Sequence, residues 1–133
     1  MILTSGVFDG LHIGHVAYLA KAFEDASGDA CVVAVAPDAY VHRHKDRDPV
    51  WTEDERATVV LMLGMVDRVV IHGPDSVASV IYDQHPRLFV KGMDWRDSLP
   101  ADVRQACQAV GCEVRYVDSG IKKHSTDALS PGR

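Results

Sequence analysis

The sequence has no apolar run approaching the roughly 20 residues that cross a bilayer, so no membrane-spanning helix is expected. Its first residues, Met1-Ile2-Leu3-Thr4-Ser5-Gly6, carry no basic stretch and no cleavage site. No secretory signal is read there, and the expected compartment is cytoplasmic. Cysteine is scarce: Cys31, Cys107 and Cys112 cannot pair completely and form no CxxC. Reduced, structural thiols are the expectation. A surplus of positive charge is also missing. The net charge is −5, whereas general nucleic-acid binding needs a broad basic face, so nucleic acid is not an expected partner. Internal repeats, low-complexity tracts and interior linkers are absent as well.

What is present suits one globular domain spanning 1–133, with a polar tail from about residue 119. Hydrophobic residues make up 47% and charged residues 25%, enough for a real core. Local cations occur in two groups, His42-Arg43-His44-Lys45 with Arg47, and Lys122-Lys123-His124.

Apolar runs alternate with amphipathic stretches. Strands are expected at 2–5, 30–36, 68–71, 88–91 and 113–117, with helices at 14–26, 52–63, 76–84 and 100–110. The run Ala30-Cys31-Val32-Val33-Ala34-Val35-Ala36 is typical of a parallel strand covered on both faces. The first helix is expected to bury Val16, Leu19, Ala20 and Phe23. Thr52 and Glu55 form a capping-box pattern, with Trp51 before it as a staple. The stretch 38–51 reads as a polar loop with at most one helical turn. Five strand–helix alternations predict an α/β, Rossmann-like three-layer fold: a parallel sheet of about five strands with helices on both faces. Ligands of such sheets bind at the carboxyl ends of the strands. Gly6 to His15, Asp38 to Arg47 and Gly92 to Trp95 would stand there.

The first of these segments carries the chemistry. A strand ends, a glycine-bearing turn follows, and a helix begins, which makes a ready anion site. His12 and His15, three residues apart, face one spot, and Gly14 leaves room for a ligand against the backbone. A metal pair is the competing reading, but no third ligand of matching spacing is evident, so no metal site is expected.

Gly6-x-Phe8-Asp9-x-x-His12-x-Gly14-His15 resembles the HxGH signature of the cytidylyltransferase-like nucleotidyltransferases. The small single-domain branch is the most similar, with glycerol-3-phosphate cytidylyltransferase and the nucleotidyltransferase part of ADP-heptose synthase. The resemblance extends to Glu55-Arg56, to Phe89-Val90-Lys91-Gly92-Met93-Asp94-Trp95 and to Ser125-Thr126. It implies transfer of CMP or AMP from a nucleoside triphosphate to a sugar or polyol phosphate, with release of pyrophosphate and no covalent enzyme intermediate. His12, His15 and Lys45 would be the catalytic residues. Gly6, Val7, Phe8, Gly14, Asp94, Ser125 and Thr126 would hold the nucleotide, and Asp9, Arg56 and Trp95 the acceptor. Arg56 would hold acceptor phosphate or secure the neighbouring loop. Mg²⁺ is expected with the triphosphate, and a homodimer is expected from the branch.

Two departures stand out. Val7 replaces the family's Thr or Cys, and Gly120-Ile121-Lys122-Lys123-His124 lacks the arginine and inner glycine of the closing motif. FMN adenylyl transfer is an alternative, since Phe8-Asp9-Gly10-Leu11-His12 resembles that motif too. A non-catalytic nucleotide-binding protein is another, motivated by the altered closing motif. Plain readings stand beside the functional ones: Arg56 paired with Glu53 or Asp67, Asp94 as a turn cap, and His72 and His85 on the surface.

Overall fold

The computed structural model describes residues 1–118 and 120. Five strands form one sheet: β1 (Ile2–Gly6), β2 (Cys31–Val35), β3 (Arg68–Ile71), β4 (Leu88–Gly92) and β5 (Glu113–Val117). They lie in the order β3-β2-β1-β4-β5, with every pairing parallel. Strand order reverses between β1 and β4, which is where such a sheet opens a crevice beyond its carboxyl ends.

Burial follows position in the sheet. All five residues of β2 are buried, and so are most of β1 and β4. The edge strands β3 and β5 are partly exposed and carry Arg68, Glu113 and Arg115. Charge on an edge discourages pairing with another sheet.

Side chains alternate between the two faces. Ile2, Val33, Val35, Leu88 and Val90 pack with Leu19, Ala22, Phe23 and Val60, under α1 (Ile13–Ala22) and α3 (Glu53–Leu61). Leu3, Val32, Ala34 and Phe89 pack with Val80, Ile81, Val103 and Ala106, under α4 (Ala78–Gln84) and α5 (Ala101–Val110). The result is the expected three-layer α/β fold.

Three local expectations are corrected. The first helix stops at Ala22, capped by Phe23, and its buried stripe is Leu19, Ala22 and Phe23, with Ala20 exposed. Positions 19, 22 and 23 keep the i, i+3, i+4 spacing of one helix face. Second, the stretch read as a loop contains α2 (Asp38–Lys45). Only Val41 of α2 is buried, so the segment shows no amphipathic period. Its order comes instead from Pro37, whose carbonyl accepts from Tyr40 and Val41 N–H, and from the basic run in the last turn. Cations there complement the helix dipole.

The third correction concerns Trp51. The capping box of Thr52 and Glu55 forms as expected. However, the position a staple would pair with Trp51 is Arg56, and the tie is a hydrogen bond from Arg56 Nε to Trp51 O. All three cysteines are buried free thiols.

Candidate functional site: a cleft at the switch point

The turn after β1 is shaped by one strained residue. Phe8 is buried and has φ 54°, a left-handed value that bulky side chains rarely adopt. Its ring folds back over Gly6, where a Cβ would lie 2.8 Å from Phe8 Cε2. Gly6 is therefore required by packing. Gly10, at φ 83°, supplies the second left-handed turn before α1.

The two histidines close that helix start reciprocally. Gly14 N–H donates to His12 Nδ1 at 3.0 Å, and His12 N–H donates to His15 Nδ1 at 3.2 Å. The pair is a capping box built from histidines. Since both Nδ1 atoms accept, the proton of each neutral ring sits on Nε2. The rings lie 4.0 Å apart between centroids. Burial, and then the neighbouring His12, lower the His15 pKa to about 4. His15 is thus a neutral donor at neutral pH, beside the N-terminal end of the α1 dipole.

Asp9 and Arg56 organise the loop opposite. Asp9 accepts from Val50 N at 2.9 Å, Trp51 N at 2.8 Å and Arg47 Nη1 at 3.0 Å. Burial raises the Asp9 pKa, but the Val50, Trp51 and Arg47 hydrogen bonds outweigh it, so the net shift is downward. The carboxylate ties the 47–51 loop to the β1 turn, and Asp9 also lines the cleft, where its expected contact with an acceptor would fall.

Arg56 is wholly buried. It donates to Trp51 O at 3.0 Å, Val7 O at 2.9 Å, Ala36 O at 2.6 Å and Asp38 Oδ1 at 2.7 Å. It lies outside the cleft lining, so acceptor binding is corrected and the loop-securing alternative holds. Its partner is Asp38, neither Glu53 nor Asp67: Glu53 accepts from Asp38 N–H, and Asp67 from Cys31 N–H. Sequence spacing alone could not bring Asp38 across to α3.

β4 supplies the third wall. Lys91 is buried, its Nζ donates to Ser5 O at 3.1 Å, and it stands 4.6 Å from the Trp95 ring centroid. Asp94 curls back over Gly92, where a Cβ would meet its Oδ1 at 2.7 Å. Tyr18, one turn beyond His15, donates to Val90 O at 3.0 Å. Burial pushes its phenol pKa up.

These walls enclose a cleft of about 940 Å³. His12, His15 and Lys45 line it together, as do Gly6, Val7, Phe8 and Gly14. Asp94 and Trp95 line the β4 side. Ser125 and Thr126 lie outside the described residues. Sequence reasoning missed Lys91, Tyr18, Tyr40 and His72, which also line the cleft. Tyr18 was findable from its i+3 spacing to His15, and Lys91 from its place in the quoted turn. Tyr40 and His72 carried no local signal. His72 is buried rather than superficial, with Nδ1 2.7 Å from Gly73 O, while His85 is exposed as expected.

The cytidylyltransferase-like family profile matches residues 3–130. The bifunctional protein HldE of Campylobacter concisus is 37% identical over 131 residues, which is 96% of this chain and 27% of that protein. The chain thus spans about a quarter of the length of several curated relatives. A FAD synthase of Aciduliprofundum boonei is 34% identical over 132 residues, covering 99% of this chain and 85% of that one. A lipopolysaccharide core biosynthesis protein of Thermoplasma volcanium superposes with a TM-score of 0.72 at 26% identity, over 88% of this chain and 95% of that chain.

Proposed function

Since the chain belongs to the cytidylyltransferase-like family, we propose that it transfers CMP or AMP from a nucleoside triphosphate to a small sugar or polyol phosphate. An oxygen of the acceptor phosphate attacks the α-phosphorus. The bond from the α-phosphorus to the bridging oxygen breaks, and pyrophosphate leaves with the electron pair. Such a displacement needs positioning and charge stabilisation more than proton transfer. The observation that carries the proposal is the histidine-capped start of α1, facing the cleft at the strand-order reversal.

His12 and His15 donate from Nε2 to the α- and β-phosphates, beside the amides of Val7 and Phe8. Lys45, at the end of α2, adds positive charge from across the cleft. Asp94 and Trp95 contact nucleotide or acceptor. Ser125 and Thr126, expected on the β- and γ-phosphates, complete the proposed set. Among the described residues no three His, Cys, Asp or Glu side chains gather as a metal site. Mg²⁺ would enter with the triphosphate, and Asp94, which lines the cleft, would help to hold it. When bound, the ion would neutralise charge on the phosphates.

The FAD synthase favours a second reading, because the chain covers most of that protein. FAD is FMN carrying an AMP unit, so FMN becomes the acceptor and ATP the donor. Among the described residues no helix is long and apolar enough to cross a membrane. A cytoplasmic homodimer is part of the proposal and rests on the family branch; size-exclusion chromatography with light scattering checks the dimer.

Pyrophosphate release tests the function. Protein with Mg²⁺ is offered ATP, CTP, GTP or UTP with glycerol 3-phosphate, heptose 1-phosphate, other sugar phosphates, phosphocholine or FMN. Release that depends on one triphosphate and one acceptor supports the proposal. Triphosphate binding without release from any pair favours a non-catalytic nucleotide-binding role.

A further inference from the structure

Lys91 is 9% exposed and has no carboxylate ion-pair partner among the described residues. Its Nζ donates at 3.1 Å and 3.3 Å to Ser5 O and Ser5 Oγ, two neutral oxygens of one residue. An ammonium has three N–H donors, so one remains. Burying an ammonium without a counter-charge is costly. A packing role would be filled by an apolar chain of the same length. The burden shows in its acidity: burial lowers the Lys91 pKa to about 8, with Asp94 opposing and Lys45 adding.

Lys91 sits where the cleft deepens. Ser5, Tyr40, His72, Lys91 and Trp95 line both the main cleft and a hollow of about 40 Å³ beneath it. That is room for roughly three water molecules, too little for a nucleobase. The hollow continues toward Leu99 and Val103, on the sheet face covered by α4 and α5. The histidine-capped α1 belongs to the opposite face. Phosphates bound at α1 therefore leave the Lys91 ammonium for a second anion. The reaction needs one, because two phosphate-bearing substrates must approach each other against charge repulsion.

We propose that Lys91, flanked by Trp95 and Tyr40, forms the subsite for the acceptor's phosphate, a phosphomonoester dianion. This rests on the nucleotidyl-transfer reading. The bound dianion supplies the ion-pair partner that Lys91 lacks among the described residues, and its remaining oxygens stay available to the α-phosphorus. The triphosphate itself does not need Lys91.

Calorimetric titration of the full chain, Lys91→Met and Lys91→Arg tests this, using glycerol 3-phosphate, FMN and inorganic phosphate as anion probes, and ATP and CTP with Mg²⁺ separately. Lys91→Met should weaken binding of at least one phosphomonoester by about ten- to a hundredfold. Triphosphate affinity should stay within about threefold, and Lys91→Arg should bind the same phosphomonoester better than Lys91→Met does. In the unaltered chain, phosphomonoester affinity should fall from about pH 7.5 to about pH 9 as Lys91 loses its proton, and Lys91→Met should lack that fall. Asp94, Lys45, Tyr40 and His72 also face Lys91, and they are common to both proteins.

Weakened triphosphate binding with phosphomonoester binding intact overturns the subsite. So does phosphomonoester binding by neither protein, or binding of inorganic phosphate alone. Should Lys91→Met not fold, a flat pH profile in the unaltered chain overturns it. Lys91-dependent phosphomonoester binding without pyrophosphate release keeps the subsite and discards the transfer reading. Release with an acceptor KM indifferent to Lys91→Met does the reverse.

Discussion

Replacing Arg56 with lysine should cost stability out of proportion to so conservative a change. The guanidinium makes four hydrogen bonds: Nε to Trp51 O, Nη1 to Val7 O and Ala36 O, and Nη2 to Asp38 Oδ1. Lysine keeps the charge but offers a single nitrogen on a stem without the planar fork. From one point it can reach one or two of those acceptors. Two or more charge-assisted bonds are lost, each worth about 1.5–3 kcal/mol, and of the four acceptors Ala36 O is the buried one that water reaches least. The expected loss is about 3–5 kcal/mol, a large share of the roughly 5–15 kcal/mol that holds a typical domain together. At about 3 °C per kcal/mol for a chain of this size, the thermal midpoint should fall by about 10–15 °C.

The four acceptors belong to the turn after β1, the end of β2, the start of α2 and the loop before α3. Arg56→Lys should therefore also weaken triphosphate binding at temperatures where it remains folded. Thermal melts followed by circular dichroism, with calorimetric titration of ATP and CTP, provide the readout. A midpoint within about 3 °C of the unaltered protein would refute the view that this guanidinium pins the site.

Further outcomes follow from the same geometry. His12→Ala and His15→Ala should each lower pyrophosphate release by about a hundredfold or more, as losing a charge-stabilising donor does; near-normal rates in both would sink the proposed roles. Gly6→Ala should cost about 1–3 kcal/mol in urea unfolding, because the new methyl meets the Phe8 ring at 2.8 Å. Asp9→Ala removes the acceptor of two loop amides and Arg47, so hydrogen exchange at Val50 and Trp51 should accelerate; unchanged protection would contradict the latch. The His15 pKa of about 4 lies below the ordinary 6.5, so between those values the unfolded chain takes up a proton that the folded one refuses. That part of the stability is lost as pH falls from about 6.5 to about 4, and His15→Gln should show a shallower decline over the same window.

Much of this protein was settled by sequence alone, for a local reason. Strand runs such as Cys31 to Val35 are written in contiguous residues, and their pattern specifies a parallel sheet covered on both faces. The His12–His15 site was equally legible, because its geometry is one helical turn and its capping bonds span three residues at most. Where the deciding partner lay far along the chain, sequence was silent or misleading. Arg56 and Asp9 looked like ligand contacts because both stand in functional motifs. Only the packing of α3 against β2 shows the Arg56 donors bound to carbonyls and Asp38, and only the fold shows that Asp9, which lines the cleft, also holds the 47–51 loop. α2 escaped notice because one buried residue, Val41, leaves no period to detect. Lys91, Tyr40 and His72 come from three separate segments and meet only where the β-strand ends converge. A buried ammonium with no ion-paired carboxylate among the described residues is a property of that convergence, since burial depends on which segments pack together and no spacing within one segment encodes it.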